Sequence, residues 1–453
     1  MSFATPGSTR HGLVNPDMIA ALTLALSILI LSAVYAASFM YGPRWEVPVF
    51  RAASAAFFAC VALGGGLLLR SMAAPGRDSP SFVWIAPAVV AITLLLSAYF
   101  LLPTSAALAF ALAILAGTFA AVRLAPGEAS ERRATDVLLL LAWLLPVIVI
   151  MTTPMGNDML PFIERVSLAF FRGEDPYYVD LSDISDNYFL YLPLQWLTYS
   201  PLAALGVDLR LLNPVLMALT LLLLRPVVQR SVYRTEAALI LFVLMASYPV
   251  LLATTTAQMW VTWPLVTLLA ILIARERLLA AAVVLGLALA TRQTALLIAG
   301  PLALYYIRRV RLGTYVGFGI IAGGIWLGLL ALFARNGLLD FMHLMYVERP
   351  RLSVAETVLI GNPINQISLA GFGTKELIER FATLAQLFGA LGFGAFLLLK
   401  RNLPPSRMLI ALGLFFLLEM GLGGFVHRYY YVTGFLFIGI GVAYLGREGR
   451  GGD

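Results

Sequence analysis

The sequence predicts an all-α polytopic membrane protein of about 14 transmembrane helices, on three observations. Of its 453 residues 60% are hydrophobic and only 12% charged, against about 45–50% and 25% in a soluble domain. Apolar stretches recur from Met18 to Leu445, and a bilayer crossing needs only about 20 such residues. Short arginine clusters punctuate them, the pattern of cytoplasmic loops facing anionic lipid. Together these exclude a soluble enzyme, a disordered chain, a coiled coil and a disulfide scaffold. The lone Cys60 lies in an apolar run, so no disulfide or cysteine metal site can form within the chain. The net charge of +7 is scattered over membrane-flanking loops, so nucleic acid is not an expected partner.

Residues 1–17 are polar and read as a short cytoplasmic tail, before a run too long for a cleaved signal peptide. Spans at 18–40, 48–69, 82–102 and 105–122 carry few polar residues and form an accessory bundle within 18–135. A second module, 136–446, follows, with spans at 136–152, 209–224, 236–252, 260–274, 278–290, 294–307, 313–334, 381–399, 408–426 and 430–446. The runs 278–290 and 294–307 are short for a crossing and suit half-helices inside a bundle. Residues 447–453 form the last tail. The pairs Gly319/Gly323, Gly324/Gly328 and Gly389/Gly392 have the spacing of close helix packing.

One stretch decides the sidedness. Tyr188 to Gly206 is apolar but contains Pro193, Gln195 and Pro201, which suits a segment lying at the membrane surface. Read as non-spanning, it puts 19 of the 31 Lys and Arg on the cytoplasmic side, with both termini. Two long outer segments remain, 153–208 and 335–380. Both far exceed the usual connector, and long loops in a compact fold carry function.

The first outer segment opens with Asn157-Asp158 directly after a span. A carboxylate there sits at the membrane–water boundary, able to act as a base or simply to cap the next helix. That helix, about 159–172, sets Arg165 and Arg172 on one side and Phe162, Ile163 and Phe170 on the other. Gly173-Glu-Asp-Pro-Tyr177-Tyr178 and the acidic stretch Asp180, Asp183, Asp186 follow, reading as either site or solvated loop. In the second segment His343, Glu348, Arg349 and Arg351 either line an acceptor cleft or mark a solvated helix. Arg292 lies at the outer end of a span, as a site residue or a boundary marker. Glu419 falls inside a span, where a carboxylate is costly and a functional candidate. Asp158 with Glu164 or His343 can share a divalent cation, but no spacing demands one. No cofactor is required.

Asn157-Asp158, the interfacial helix, Gly173-x-x-Pro176-Tyr177 and Tyr191-x-Pro193-Leu194 together resemble the first outer loop of the glycosyltransferase-C superfamily. These are membrane enzymes that use polyprenyl-phosphate-linked sugars, and the likeness is to the bacterial mannosyltransferase-like branch. Ala257-Gln258-Met-Trp260 resembles an outer-end motif of the family, with Ala in place of Gly. Ser368-Leu369 and His427-Arg428-Tyr429-Tyr430 resemble two more. The likeness covers roughly 136–446, and the four N-terminal spans depart from it.

The resemblance implies transfer of a sugar, with inversion, from a polyprenyl-phosphate donor to a lipid, glycan or protein acceptor outside the cell membrane. It implies Asp158 as the catalytic residue. A positioned carboxylate suits that role by removing the acceptor hydroxyl proton. Arg428, His427 and Arg292 suit the donor phosphate, since Arg makes paired contacts to phosphate and His can hydrogen-bond it or carry a proton. Asn157, Glu164, Tyr177, Gln258, Tyr429, Glu419, Arg349 and Arg351 complete the candidate substrate-binding set. Two other readings stand beside this one: a flippase or transporter of a lipid-linked sugar, and a polysaccharide polymerase or ligase. Transport calls for charges along the midplane, whereas almost all ionisable groups here lie at span ends.

Overall fold

The computed structural model describes residues 16–41, parts of 52–67, 128–152, 159–184, 189, 191–231, 233–256, 259–334, 337–348, 375–400, 402–422 and 430–445. Among these residues every regular element is helical. The expected spans 82–102 and 105–122 lie outside the described residues. In chain order the helices are α1 (Pro16–Tyr41), α2 (Glu128–Thr152), α3 (Met159–Phe171), α4 (Pro193–Leu197), α5 (Ser200–Ala204), α6 (Leu212–Gln229), α7 (Arg234–Met245) and α8 (Tyr248–Ala253). After them come α9 (Thr262–Ala274), α10 (Leu278–Leu289), α11 (Leu296–Tyr306), α12 (Leu312–Ala331), α13 (Leu338–His343), α14 (Lys375–Leu399), α15 (Pro405–Leu422) and α16 (Tyr430–Leu445).

By length and composition, three described helices can cross a membrane: Leu209–Gln229, Leu312–Ala331 and Pro405–Leu422. They differ in what they touch. The third is mostly buried among other helices, whereas α12 keeps Leu312, Val316 and Ile320 on the surface. A helix that is apolar all round and still exposed needs an apolar surrounding. The expected span 236–252 is not continuous. Pro249 has no N–H and its ring crowds the carbonyl four residues back, so α7 stops at Met245 and α8 begins after Ser247.

Two apolar cores result. The larger joins α1, α6, α7, α9, α10, α15 and α16. Its tightest seam is between α15 and α16, where a Cβ at Gly413 would stand 2.5 Å from the Gly434 carbonyl oxygen. Gly286 on α10 is crowded in the same way by Ala322 and Ile325 of α12. The expected packing glycines behave otherwise: among the described residues, Gly319, Gly323, Gly324, Gly328 and Gly392 face no atom within 4 Å, and of these pairs only Gly389 is crowded, against Glu419. The spacing suits a helix partner, but no described helix supplies one at those positions of α12.

The smaller core covers one end of the bundle. It is built from α3, the segment 189–204, the start of α6, the end of α12, and α13 with its continuation as a π-helical turn, Leu344–Glu348. On α3, Leu160, Phe162, Ile163, Val166 and Ala169 are buried while Glu164 is exposed, as is Arg172 just past its end. Where a full span between Tyr188 and Gly206 is conceivable, the chain makes only α4 and α5. Gly173 (φ 79°) and Gly206 (φ 65°) end α3 and α5 in left-handed turns. In each, an N–H reaches five residues back: Glu174 to Ala169 and Val207 to Leu202, both 3.0 Å. Those two turns fold the first long segment onto the bundle end.

Candidate functional site

The connector between α10 and α11, residues 290–295, is where the two long segments, 153–208 and 335–380, meet. From the first segment, the Leu194 N–H donates to the Ala290 carbonyl at 3.0 Å. Toward the second, Gln293 Nε2 donates to the Met345 carbonyl at 3.1 Å. Thr291 shares a 2.9 Å hydrogen bond with Thr262 of α9. Arg292 sits in the middle in an extended conformation, only 4% exposed, with its guanidinium carbon 4.2 Å from the centroid of the Tyr191 ring. A desolvated cation on an aromatic face gains up to about 2 kcal/mol.

Tyr191 is held from behind. Tyr177 donates from its hydroxyl to the Tyr191 carbonyl and accepts from Trp196 Nε1, both at 3.1 Å. The Tyr177 ring stands edge-on to Phe341, 4.7 Å between centroids, which ties the first segment to the second. Trp196 is fully buried between Phe170 and Phe333. Tyr177 is therefore scaffold: it positions the ring on which Arg292 rests.

The floor under this cap is polar and satisfied. Asn213 Nδ2 donates to the carbonyls of Thr254 (2.7 Å) and Thr256 (2.8 Å), and its Oδ1 accepts from the Tyr199 hydroxyl at 2.6 Å. Burial holds the Tyr199 phenol well above its ordinary range. Trp260 Nε1 donates to the Ala253 carbonyl at 2.6 Å. Gln258 itself lies outside the described residues. In the second segment, Trp326 Nε1 donates to the Tyr346 hydroxyl at 2.9 Å, and burial pushes that phenol up to about 12.

The acidic stretch is part of the scaffold as well. Both terminal nitrogens of Arg165 hold the Asp183 carboxylate, with Nη2 at 2.8 Å from Oδ2. Hydrogen bonding from Arg165 holds the Asp183 carboxyl below its usual range. Asp175 and Asp180 each accept from a backbone N–H two residues on, the turn that Asp side chains favour. Asp186 lies outside the described residues.

Of the sequence candidates, Arg292 and Tyr177 are brought together through Tyr191. Glu164 is exposed on α3, and His343 and Glu348 are exposed on the second segment. Glu419 is buried; on α14, Gly389 faces its carboxylate, and Gln386 Nε2 donates to its backbone carbonyl at 3.0 Å. Among the described residues Oε1 of Glu419 has no hydrogen-bond partner. Asn157, Asp158, His427, Arg428, Tyr429, Arg349 and Arg351 lie outside the described residues. Asp158 immediately precedes α3, and His427 to Tyr429 immediately precede α16. Among the described residues no group of three His, Cys, Asp or Glu side chains is arranged to hold a metal.

Sequence reasoning missed Asn213, Trp196 and Phe333. Only Asn213 left a signal, as an amide just inside an apolar run and before Pro214. No protein-family model, characterised protein or solved structure matches the chain.

Proposed function

We propose that the protein is an integral membrane glycosyltransferase that moves a sugar from a polyprenyl-phosphate donor to a lipid, glycan or protein acceptor. In this reading the chain crosses the cell membrane about 14 times, with both termini cytoplasmic and the aromatic cap outside. The observation that carries it is Arg292: a guanidinium buried on Tyr191, at the junction of the two long segments. A cation kept there at the end of apolar helices lies at the level of lipid phosphates, where it can hold a donor's phosphate and stabilise the charge it takes on leaving. Asp158, next in the chain to α3, is the general base for the acceptor hydroxyl, with His427 and Arg428 as further phosphate contacts.

In the reaction the acceptor oxygen bonds to the anomeric carbon as the bond from that carbon to the phosphate oxygen breaks. The hydroxyl proton passes to Asp158 and the electron pair leaves with polyprenyl phosphate. A single displacement of this kind inverts the anomeric centre. The flippase reading has one observation in its favour, the buried Glu419. Incubating purified protein with a panel of polyprenyl-phosphate sugars and membrane-extract acceptors separates the two. Transfer by wild type, lost in a folded Asp158→Asn protein that still binds donor, supports the proposal. Donor movement across liposomes without transfer by wild type supports the flippase instead.

A further inference from the structure

The opposite end of the bundle, where the connectors are basic, holds a cleft of about 500 Å³. Its lining comes from three separate connectors: Glu276 after α9, Tyr305, Arg308 and Arg309 around the end of α11, and Asn402 before α15. We propose that this cleft binds the headgroup of a phospholipid that carries an ammonium group, with its phosphodiester on Arg308 and Arg309 and its ammonium at Glu276. The proposal concerns the far end from the transfer site and does not rest on the transfer reading.

Arg309 is pre-oriented. Its Nη1 donates to the Tyr305 hydroxyl at 2.9 Å, its guanidinium carbon lies 4.1 Å from that ring's centroid, and the Tyr305 hydroxyl donates to the Leu403 carbonyl at 3.0 Å. Yet Nη2 is buried and, among the described residues, has no hydrogen-bond partner. Arg309 as a whole is half-buried and lines the cleft, so a phosphate oxygen there takes a charge-assisted bond from the part of the guanidinium that is not enclosed. Arg308 is exposed beside it, with a long 3.4 Å approach to the Leu398 carbonyl.

Glu276 decides the ligand's other charge. It is the only described residue other than glycine with positive φ, at 53°. Arg277 donates five residues back to Leu272 at 2.9 Å, the helix ending that glycine makes at positions 173 and 206. A side chain is strained in that conformation, and strain retained at a cleft is a mark of use. A phosphomonoester dianion would meet this carboxylate as a like charge. A zwitterionic headgroup instead matches two guanidinium groups and one carboxylate. The cleft adjoins the start of α12, where Leu312 is 76% exposed and can run beside an acyl chain.

The test uses the full chain in detergent, with native mass spectrometry of retained phosphatidylethanolamine, phosphatidylcholine and phosphatidylglycerol. Wild type is expected to retain phosphatidylethanolamine about tenfold over the other two, the worth of one charge-assisted hydrogen bond. Arg308→Gln, an exposed change that leaves packing intact, should lower that retention about tenfold. Glu276→Gly should raise the melting temperature by relieving strain and at the same time erase the preference over phosphatidylglycerol. Equal retention of all three lipids by wild type, or unchanged retention in both variants, overturns the proposal. Retention of soluble glycerophosphoethanolamine in place of the lipid overturns a lipid as the source of the headgroup.

Discussion

At the capped end of the bundle Arg292 is buried on an aromatic ring, whereas at the basic end Arg225 is half-exposed and pairs with Asp136 across α2 and α6 at 2.7 Å. The same residue type meets two different environments. The cap holds Arg292 with side chains drawn from both long segments, and the ion pairs Arg165–Asp183 and Arg172–Glu174 lie on the rim. The basic end leaves Arg225, Arg230, Arg308 and Arg311 in solvent, where a single ion pair contributes little, and half-covers Arg234, Arg309 and Arg407. The contrast separates a cation held in place by aromatic packing from one that solvent and a surface carboxylate already satisfy.

The comparison breaks most sharply at Trp196. Trp196→Ala removes a fully buried side chain from between Phe170 and Phe333 and should cost the cap about 3–5 kcal/mol. Limited proteolysis is expected to open 159–206 while 405–445 stays resistant; uniform resistance would deny the cap a core of its own. Asn213→Ala comes next. It strands the carbonyls of Thr254 and Thr256 and the Tyr199 hydroxyl, a loss of about 3 kcal/mol, read as a lower melting temperature. Between the ends, Gly413→Ala forces α15 away from α16 and should cost about 2 kcal/mol, without changing cap proteolysis. At the basic end, Arg225→Gln should leave the melting temperature unchanged.

The smallest effect is a pH dependence at the cap's edge. Asp208 accepts from the Arg210 N–H at 2.9 Å and from its guanidinium at 2.7 Å, and these hold its carboxyl below the usual range. A depressed carboxylate contributes stability that is present above its unfolded value, near 4, and lost as pH falls through the lower folded value. Hydrogen-exchange protection of the peptide around 208–212 should therefore be flat from pH 6 to 8 and fall in acid. Asp208→Asn should remove that fall.

Much of the fold was legible because helix periodicity is local. The amphipathic spacing of Phe162, Ile163 and Arg165 marks α3 to within a residue of its observed end, Phe171. Pro193 and Pro201 likewise mark the start of two short helices where a span was conceivable. What was not legible depends on partners distant in sequence. Small residues look alike whether they meet a helix, as Gly413 does, or open space, as Gly323 does. Arg292 stood out as a charge between apolar runs, but nothing near it in sequence pointed to Tyr191. Tyr177 was visible as part of a motif, and only its bonds to Tyr191 and Trp196 reveal it as scaffold.

The most direct test of the central claim is donor binding at the two ends compared in one experiment. Wild type, Arg292→Gln and Arg225→Gln would be titrated with a polyprenyl-phosphate sugar, with melting temperature and cap proteolysis confirming the fold of each. The account predicts that Arg292→Gln weakens donor binding at least about tenfold, the loss of a charge-assisted phosphate contact, while Arg225→Gln binds as wild type does. Equal affinity in all three folded proteins would contradict it.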